Sequence, residues 1–358
     1  MQALAQFFRS EFRPPDYLAL PTAGIDISAS GIKAVCLVER AHGLELRVAA
    51  EVPLAAGVIS SGEIADRAAV VEAIDSLAKK HHFTRANIAL PEARGYLFEA
   101  LVPQAKKNTQ RTTIEQHLDE YVPLPSIDVS FDFAPLAPDG DSVRVVGVGY
   151  ARRVVEESVS ALEEAGVDVR AAESETFALP RALFTKESEE TVLIVDIGKS
   201  TTKLLVATGR LPRFVTTLEV GGHALTLAIH KYFGATEEEA RRIKIERGID
   251  PSAGNEEYLA AMLSTVSVIR DEIVRRFNYW QSHADAAHTP IKRVLLVGGN
   301  SSVRGLPEYL EDSLKVPVAV GDVFTNFAPK EAWQPPLDTT AALAYGTAIG
   351  LALRDYGV

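Results

Sequence analysis

The chain has 358 residues, of which 47% are hydrophobic and 24% charged, as is typical of a globular protein with room for two or three domains. Its 37 Lys and Arg residues against 48 Asp and Glu residues give a formal net charge of −11, which argues against a general nucleic-acid binder because phosphate backbones attract clustered cations. The single cysteine, Cys36, cannot form an intrachain disulfide, and no run reaches the roughly 18–20 apolar residues of a membrane span, so we expect a cytoplasmic protein.

The first 21 residues are predicted to form a tail ahead of the first strand. An amphipathic segment at residues 1–12 ends before Pro14, because proline cannot continue a helix. Its apolar side chains are Leu4, Phe7, Phe8 and Phe12. The pattern leaves three interpretations open, namely contact with a membrane surface, contact with a partner protein, and a frayed terminus.

A meander of three strands is predicted next, followed by a helix and a short buried strand. The strands cover Gly24–Ile27, Ile32–Glu39 and Leu44–Val52, the helix covers residues 66–82, and the last strand covers Asn87–Leu90. Asp26 stands at the end of the first strand. Ser28 and Ser30 form the turn before Lys33. Such a turn presents N–H groups and hydroxyls that hold phosphate, and the aspartate suits a hydrated Mg²⁺.

Residues 91–171 follow a different pattern and are predicted to form an inserted subdomain. Their order is strand, helix, strand, strand and helix, at Tyr96–Val102, Thr113–Tyr121, Asp128–Phe133, Val143–Tyr150 and Arg153–Ala165. Pro123 and Pro125 stop the first of these helices, and Gly166 caps the second.

The pattern of aspartate, turn and lysine in the first hairpin returns 170 residues later. Asp26 corresponds to Asp196, Ser28 to Gly198, Ser30 to Ser200 and Lys33 to Lys203. One such hairpin is unremarkable, because Gly, Ser and Asp are residues that turns favour in any case. The second copy, in register along the whole hairpin, predicts two related half-domains that face each other.

The second half continues with helices and two glycine pairs. Gly221 and Gly222 open a helix at Ala224–Tyr232, where backbone N–H groups favour an anion. Gly298 and Gly299 follow a strand that begins at Val294, and they permit close approach of a nucleoside. The other predicted elements are a strand at Phe214–Leu218 and helices from Thr236 to Arg247, Glu256 to His283, Val303 to Leu314 and Thr339 to Leu353.

The order of these elements resembles the superfamily of actin, the sugar kinases and the heat-shock ATPases over residues 22–354. Four stretches resemble, more narrowly, the PilM family, actin-like components of type IV pilus assembly that are related to FtsA. They are Gly24–Ser28, Tyr121–Pro125, Glu175–Leu179, and Val220–Gly222 leading to Glu237–Ala240. The resemblance implies an α/β, actin-like ATPase fold of two ribonuclease-H-like domains with an inserted 1C subdomain of the FtsA and PilM type.

A division of the chain is also implied by this resemblance. Residues 1–21 would form the tail, 22–90 the first part of subdomain 1A, 91–171 subdomain 1C, 172–205 the rest of 1A and the start of domain 2, and 206–358 domain 2, with subdomain 2B inserted at about 224–290. The two hairpins would then face each other from the two domains.

Carried over residue by residue, the resemblance implies a site for ATP and Mg²⁺. Asp26 and Asp196 would flank the metal ion, and Glu175 would orient water, so that Glu175 and Asp196 are the catalytic candidates. The phosphates would contact Ser28, Ser30, Lys33, Gly198, Ser200 and Thr201, and the nucleoside would contact Gly221, Gly222, Lys244, Gly298 and Gly299. Structural roles stay open for Lys33 as a solvated strand end, for Glu175 as a helix-start acid, and for Lys244 as a surface residue.

Two positions depart from the family's pattern. Arg241 stands where bacterial actins have a glutamate that binds the ribose hydroxyls, and arginine cannot accept hydrogen bonds from them. Lys199 replaces a small residue in the second turn. Because nothing in the sequence resembles a strong general base, we expect at most a slow ATPase.

The resemblance therefore implies a cytoplasmic ATP-binding scaffold for a type IV pilus or a related secretion system, recruited to the inner face of the inner membrane. Its partner would be the N-terminal cytoplasmic tail of a PilN-type inner-membrane protein, held around residues 91–171, with membrane contact only through that partner and no nucleic acid bound. Self-association stays open. An FtsA-like cell-division or filament protein, and a small-molecule kinase of the same superfamily, are the alternatives.

Overall fold

The computed structural model describes residues 21–250, 256–283 and 288–357, so the predictions for residues 1–12 lie outside it. Its strands are β1 (Thr22–Ser28), β2 (Gly31–Arg40), β3 (Gly43–Pro53), β4 (Ile59–Ser60), β5 (Glu63–Ile64), β6 (Arg85–Leu90), β7 (Gly95–Pro103), β8 (Val129–Asp139), β9 (Ser142–Ala151), β10 (Asp168–Ser174), β11 (Thr191–Ile197), β12 (Thr202–Thr208), β13 (Leu211–Leu218), β14 (Arg293–Val297) and β15 (Val318–Val320). Its helices are α1 (Arg67–His81), α2 (Lys107–Gln116), α3 (Leu118–Tyr121), α4 (Arg152–Glu164), α5 (Glu175–Leu183), α6 (Gly222–Phe233), α7 (Glu237–Arg247), α8 (Glu256–Ser282), α9 (Leu306–Leu314), α10 (Thr339–Ala342) and α11 (Gly346–Leu353). None of the helices in these ranges is long and apolar enough to cross a membrane.

The first sheet has the strand order β10-β6-β1-β2-β3. The predicted meander is confirmed: β1, β2 and β3 are antiparallel, because each tight turn reverses the chain, whereas β6 runs parallel to β1 and β10 parallel to β6. Helix α1 begins after Asp66, whose carboxylate accepts a hydrogen bond from the Ala69 N–H. Its buried face, which includes Val70, Ile74 and Leu77, packs in the core of this sheet.

The second sheet repeats the plan of the first, with the order β13-β12-β11-β14-β15. Strands β11, β12 and β13 are antiparallel, and β14 and β15 continue the sheet in parallel. The long helix α8 buries Met262, Val266 and Ile273 in the core beside it, so its helical period reflects packing within the protein. The repeat in the sequence is therefore a repeat of topology.

A third sheet, with the order β7-β9-β8, is inserted between β6 and β10 and is antiparallel throughout. Phe98 and Phe131 of this sheet form a core with Ile114 of α2 and Leu118 of α3. Helix α4 follows β9 in the chain but buries Ala161 and Leu162 in the core of the first sheet. The inserted sheet is thus joined to the first sheet through α4.

The helix predicted at Thr113–Tyr121 is wrong in its extent. Helix α2 begins six residues earlier, at Lys107, and the chain leaves helical geometry at His117, where φ is −122° and ψ is 16°. This break turns α3, so that the ring of Tyr121 stacks on Phe98 with 4.9 Å between centroids.

Two further helices differ from prediction. The helix expected from Val303 begins at Leu306, because Gly305 adopts a φ of 81° that no helix contains. The helix expected over Thr339–Leu353 is divided by a 3₁₀ turn at Leu343–Tyr345 into α10 and α11.

Helix α11 packs closely on the first sheet and on α5. A Cβ atom at Gly24 of β1 would lie 2.0 Å from the Ala348 carbonyl oxygen, and one at Gly350 would lie 1.8 Å from the Ala178 carbonyl oxygen. Ile349 and Ala352 belong to a cluster that contains side chains of both large sheets. The small residues of α11 therefore allow it to join the two halves of the molecule.

Candidate functional site

Both hairpins place an aspartate and a lysine directly opposite each other at their turns. Asp26 pairs with Lys33 in the register of β1 and β2, and Asp196 pairs with Lys203 in the register of β11 and β12. All four residues line one cavity of about 650 Å³ between the two sheets. A cavity of this volume is large enough for a nucleotide-sized ligand.

Twelve of the fourteen residues predicted for the site line this cavity. They are Asp26, Ser28, Ser30, Lys33, Glu175, Asp196, Gly198, Ser200, Thr201, Lys244, Gly298 and Gly299. Lys199, Arg241 and the exposed Ile245 line it as well. The two hairpin turns and helix α7 thus meet around one space.

Gly221 and Gly222 are the two predicted residues that do not line the cavity. The N–H of Gly222 donates to the Gly198 carbonyl over 3.0 Å, and the next N–H donates to the Lys199 carbonyl over 2.8 Å. The start of α6 is therefore bonded to the second hairpin turn. Its first N–H groups are already used in these hydrogen bonds and are not free to bind an anion. A Cβ at Gly222 would lie 2.0 Å from Cγ of Asn300, so the glycine is required for close packing.

The carboxylates at the two hairpin turns are held in an environment that disfavours negative charge. Burial raises the pKa of Asp26, and Lys33 offsets this only in part. Burial likewise raises the pKa of Asp196, where Lys203 opposes the shift and Glu175 and Asp26 add to it. A cation or a hydrogen-bond donor brought into the cavity would therefore stabilise both aspartates.

Lys203 is surrounded by carboxylates. Burial disfavours its charge, but Glu175, Asp196 and Asp26 together raise its pKa above the ordinary value. Its Nζ donates to Glu175 Oε2 over 2.5 Å. The lysine is therefore charged at neutral pH, and its contact with Glu175 is an ion pair.

Lys244 of α7 also lines the cavity and is 95% buried, so it is not a surface residue. Its Nζ donates to Asn300 Oδ1 over 2.6 Å and to the Gly222 carbonyl over 3.2 Å. Burial, together with the charge of Arg241, lowers its pKa to about 8. Asn300 in turn donates to the Gly198 carbonyl over 3.0 Å, so Lys244 is connected to the second hairpin turn through Asn300.

The donor set suits a hydrated divalent cation. Within the described ranges, no three His, Cys, Asp or Glu side chains are grouped closely enough to hold a metal by themselves. Mg²⁺ needs only one or two protein carboxylates, since it keeps several waters and takes other ligands from phosphates. Asp26 and Asp196 supply two carboxylates that line the cavity and whose negative charge such an ion would stabilise.

A family model described as "Type IV pilus assembly protein PilM" matches residues 24–356 of the chain. The chain belongs to the PilM family. The predicted recognition is confirmed by this match, which covers the cavity residues and nearly all of the three larger sheets.

Solved structures agree with the PilM assignment at the level of the fold. A PilM-PilN type IV pilus biogenesis complex is 24% identical, covers 93% of this chain and 98% of that chain, and has a TM-score of 0.76. Ethanolamine utilization protein EutJ from Carboxydothermus hydrogenoformans, at 16% identity, covers 95% and 90% with a TM-score of 0.53. MreB5 of Spiroplasma citri bound to ADP, at 14% identity, covers 94% and 99% with a TM-score of 0.53. The predicted α/β, actin-like fold is thereby confirmed.

Among the cavity residues of this PilM family member that were missed from the sequence are three with polar side chains. Glu92 follows strand β6, Thr217 lies on β13 opposite Lys203, and Asn300 follows the second glycine pair. Glu92 accepts a hydrogen bond from the Thr217 hydroxyl, and burial raises its pKa. The sequence could have indicated Glu92 because it follows β6, which is parallel to β1. The ends of parallel neighbours meet at one edge of a sheet, so a residue just after β6 lies near the turn that follows β1.

Proposed function

We propose that this PilM family member is a cytoplasmic scaffold for type IV pilus assembly that binds ATP and Mg²⁺ in the cavity between its two large sheets. The observation that carries the proposal is the pair of matching hairpins, whose aspartates and lysines line the same cavity. MreB5 structures bound to ADP and to AMPPNP, which share the fold, support a nucleotide as the ligand.

The phosphates would lie between the two hairpin turns. Ser28, Ser30, Ser200 and Thr201 offer hydroxyls there, Gly198 offers its backbone, and Lys33 offers a positive charge. The Ser28 hydroxyl currently donates to the Gly31 carbonyl over 3.0 Å, and it can rotate towards a ligand. Asp26 and Asp196 would hold the hydrated Mg²⁺, which neutralises phosphate charge when bound.

The nucleoside would lie at the opposite end of the cavity. Lys244 fixes Asn300, Gly298 adopts a φ of 88° beside Asp196, and Gly299 leaves open space on the cavity side. Ile245 on α7 offers an apolar contact for a base. Gly221 and Gly222 would act indirectly, by holding the second turn in place.

The partner we propose is the N-terminal tail of a PilN-type inner-membrane protein, through which the scaffold would be recruited to the inner face of the inner membrane. The PilM-PilN complex with the same fold supports this pairing. The inserted sheet has an exposed apolar side chain at each of its two edges, Leu101 on β7 and Ile127 just before β8, which are 52% and 80% exposed, and the tail would use one of these edges. An extended tail with alternate apolar residues is the kind of ligand that such a surface binds.

We also propose the division into subdomains 1A, 1C and 2 with 2B that the resemblance implies, with the inserted sheet as the centre of 1C. Because Ala161 and Leu162 of α4 are buried in the core of the first sheet, deletion of residues 91–171 would damage that core as well. Point substitutions on the inserted sheet are therefore the better test of partner binding.

The test is a titration of the purified protein with a fluorescent ATP analogue, with and without Mg²⁺ and with and without a PilN-type N-terminal peptide. Saturable binding of the nucleotide that is lost in Asp196→Ala, together with peptide binding, supports the whole proposal. Lys79→Met, which alters an exposed ion pair with Asp75 on α1, is the matched control and retains both activities. A folded protein that binds no nucleotide overturns the ATP site, and one that binds nucleotide without the peptide overturns the scaffold role.

A further inference from the structure

Glu175, the cavity acid at the start of α5, has both of its carboxylate oxygens engaged. Oε1 accepts a hydrogen bond from the backbone N–H of Glu92 over 2.7 Å, and Oε2 accepts one from Lys203 Nζ over 2.5 Å. The side chain of Glu175 is 11% exposed and that of Lys203 is 28% exposed. The acid is thus held between a main-chain donor and an ammonium group.

Hydrolysis of a nucleoside triphosphate requires an acceptor or orienting group for water. The water oxygen forms a bond to the terminal phosphorus, while the bond between that phosphorus and the bridging oxygen breaks. The diphosphate leaves with the electron pair, and the proton of the water passes to a nearby oxygen. A carboxylate helps only if one of its oxygens can accept a hydrogen bond from the water.

We infer that Lys203 is a positioning residue that holds Glu175 in an ion pair, so that Glu175 does not orient water and hydrolysis stays slow. This inference rests on the proposed binding of ATP in the same cavity. With the Glu92 N–H on one oxygen and the Lys203 ammonium on the other, a water must compete with the ammonium for Glu175, so the acid is poorly placed to orient water. The cavity then binds a triphosphate and retains it, as a scaffold requires.

The surroundings keep this arrangement in place. Lys203 lies on the inner strand β12, with Asp196 of β11 and Thr217 of β13 as its register partners, so its backbone is held within the sheet. Thr217 donates to the side chain of Glu92, which holds the residue whose N–H bonds to Glu175. The acid is therefore restrained by two elements that are themselves bonded to each other.

The experiment compares the wild type with Lys203→Met, Lys203→Arg and the double variant Lys203→Met/Glu175→Gln. Single-turnover release of inorganic phosphate from ATP measures hydrolysis, and the fluorescent ATP analogue measures binding separately. Lys203→Met frees Oε2, and we expect its hydrolysis rate to rise about tenfold, a part of the roughly 100-fold that a placed general base supplies. Lys203→Arg retains the charge and the donor, and it stays near the wild-type rate.

The double variant decides whether Lys203 acts through Glu175. If the inference is right, the gain in Lys203→Met disappears in the double variant, because the freed carboxylate is gone. A gain that persists without Glu175 overturns the inference, as does a Lys203→Met protein that binds nucleotide but hydrolyses it no faster. If the wild type itself binds no nucleotide, the proposed function is contradicted instead.

Thermal unfolding of each variant serves as the folding control. If Lys203→Met does not fold, Lys203→Gln replaces it, since the amide keeps a neutral donor but cannot hold the carboxylate by charge. The same rise in rate, and its loss on addition of Glu175→Gln, is expected for that variant. An unchanged rate in folded, nucleotide-binding Lys203→Gln counts against the inference.

Discussion

Arg213 of β13 and Glu99 of β7 form an ion pair that joins the second large sheet to the inserted sheet. Nε of the arginine lies 2.6 Å from Oε1 of the glutamate, and the two side chains are 5% and 18% exposed. Arg144 approaches the other oxygen of Glu99 at 3.9 Å. This contact fixes the inserted sheet against the half of the molecule that carries the second hairpin.

Removal of Arg213 should be costly, because it leaves Glu99 largely buried without its closest cation. We expect Arg213→Met to lower the free energy of unfolding by about 3 kcal/mol, at the lower end of the range for broken buried pairs because Arg144 stays nearby. Urea denaturation followed by circular dichroism gives the measurement.

The matched control for Arg213→Met is Arg67→Met. Arg67 pairs with Glu164 at 2.8 Å, but these side chains are 40% and 55% exposed, so solvent screens the pair. We expect it to contribute less than about 1 kcal/mol. Equal losses of unfolding free energy in the two variants would show that the Arg213–Glu99 ion pair does not stabilise the protein as its burial indicates.

Stability should depend on pH through Lys244. Its pKa of about 8 in the folded protein lies below the ordinary value of 10.5, so the unfolded chain binds more protons between these two values. Stability from this group therefore rises with pH through that window. From pH 7 to pH 9.5 we expect the wild type to gain about 2 kcal/mol relative to Lys244→Met, since each unit between the two pKa values contributes about 1.4 kcal/mol.

Chemical unfolding of both proteins at pH 7, 8, 9 and 9.5 measures this gain, with Lys79→Met as a surface control that follows the wild type. Parallel profiles for the wild type and Lys244→Met would mean that the folded protein does not hold Lys244 in the environment described above.

The hairpin repeat carried most of the information that the sequence contained about the site. It predicted two hairpins, each with an aspartate before its turn and a lysine after it, because period and turn chemistry are local properties. The structure then pairs Asp26 with Lys33 and Asp196 with Lys203. The start of α7 at Thr236 was predicted for the same reason, and Thr236 and Glu239 form both hydrogen bonds of a capping box there. Local patterns therefore gave most of the elements and the residues at the two hairpin turns, although the starts of α2 and α9 were misplaced.

Contacts between distant segments were not readable in this way. The Glu92 N–H reaches Glu175 across 83 positions, and Lys244 reaches Asn300 across 56. The role of Gly222 was misread because a glycine before a helix fits an anion site and a close packing contact equally well. Its distance to Asn300, which only the folded chain defines, decides between them.

Gly222→Ala should therefore impair the nucleotide site although residue 222 does not line the cavity. The new Cβ would overlap Asn300, whose displacement breaks its bonds to Lys244 and to the Gly198 carbonyl. We expect a loss of stability on the order of 2 kcal/mol, typical of overpacking, together with weaker binding of the fluorescent ATP analogue.

Gly299→Ala is the matched comparison for Gly222→Ala. A Cβ there meets only the Cβ of Ala344 at 3.5 Å, an ordinary contact, so stability should stay within about 1 kcal/mol of the wild type. Thermal and urea unfolding of both variants test this contrast. A Gly222→Ala protein as stable as Gly299→Ala would show that Asn300 moves aside freely.

The last prediction locates the proposed partner tail on the inserted sheet. At the start of β8, the carbonyl oxygens of Val129 and Phe131 accept hydrogen bonds from Arg152 and Arg111. A strand added to this edge would have to displace both arginines, so we expect the tail to use the side of β7 that carries Leu101. Leu101→Glu should then lower the affinity for a PilN-type peptide about tenfold or more, whereas Ile127→Glu, beside β8, should leave this affinity unchanged.

Fluorescence anisotropy with a labelled peptide measures both affinities, and binding of the ATP analogue shows that each variant is folded. The reverse result would be a lower peptide affinity in Ile127→Glu and an unchanged affinity in Leu101→Glu. It would place the tail at the β8 edge and require the two arginines to move. In that case Arg111→Met should bind the peptide more tightly than the wild type, because the carbonyl of Phe131 would already be free to pair with the incoming strand.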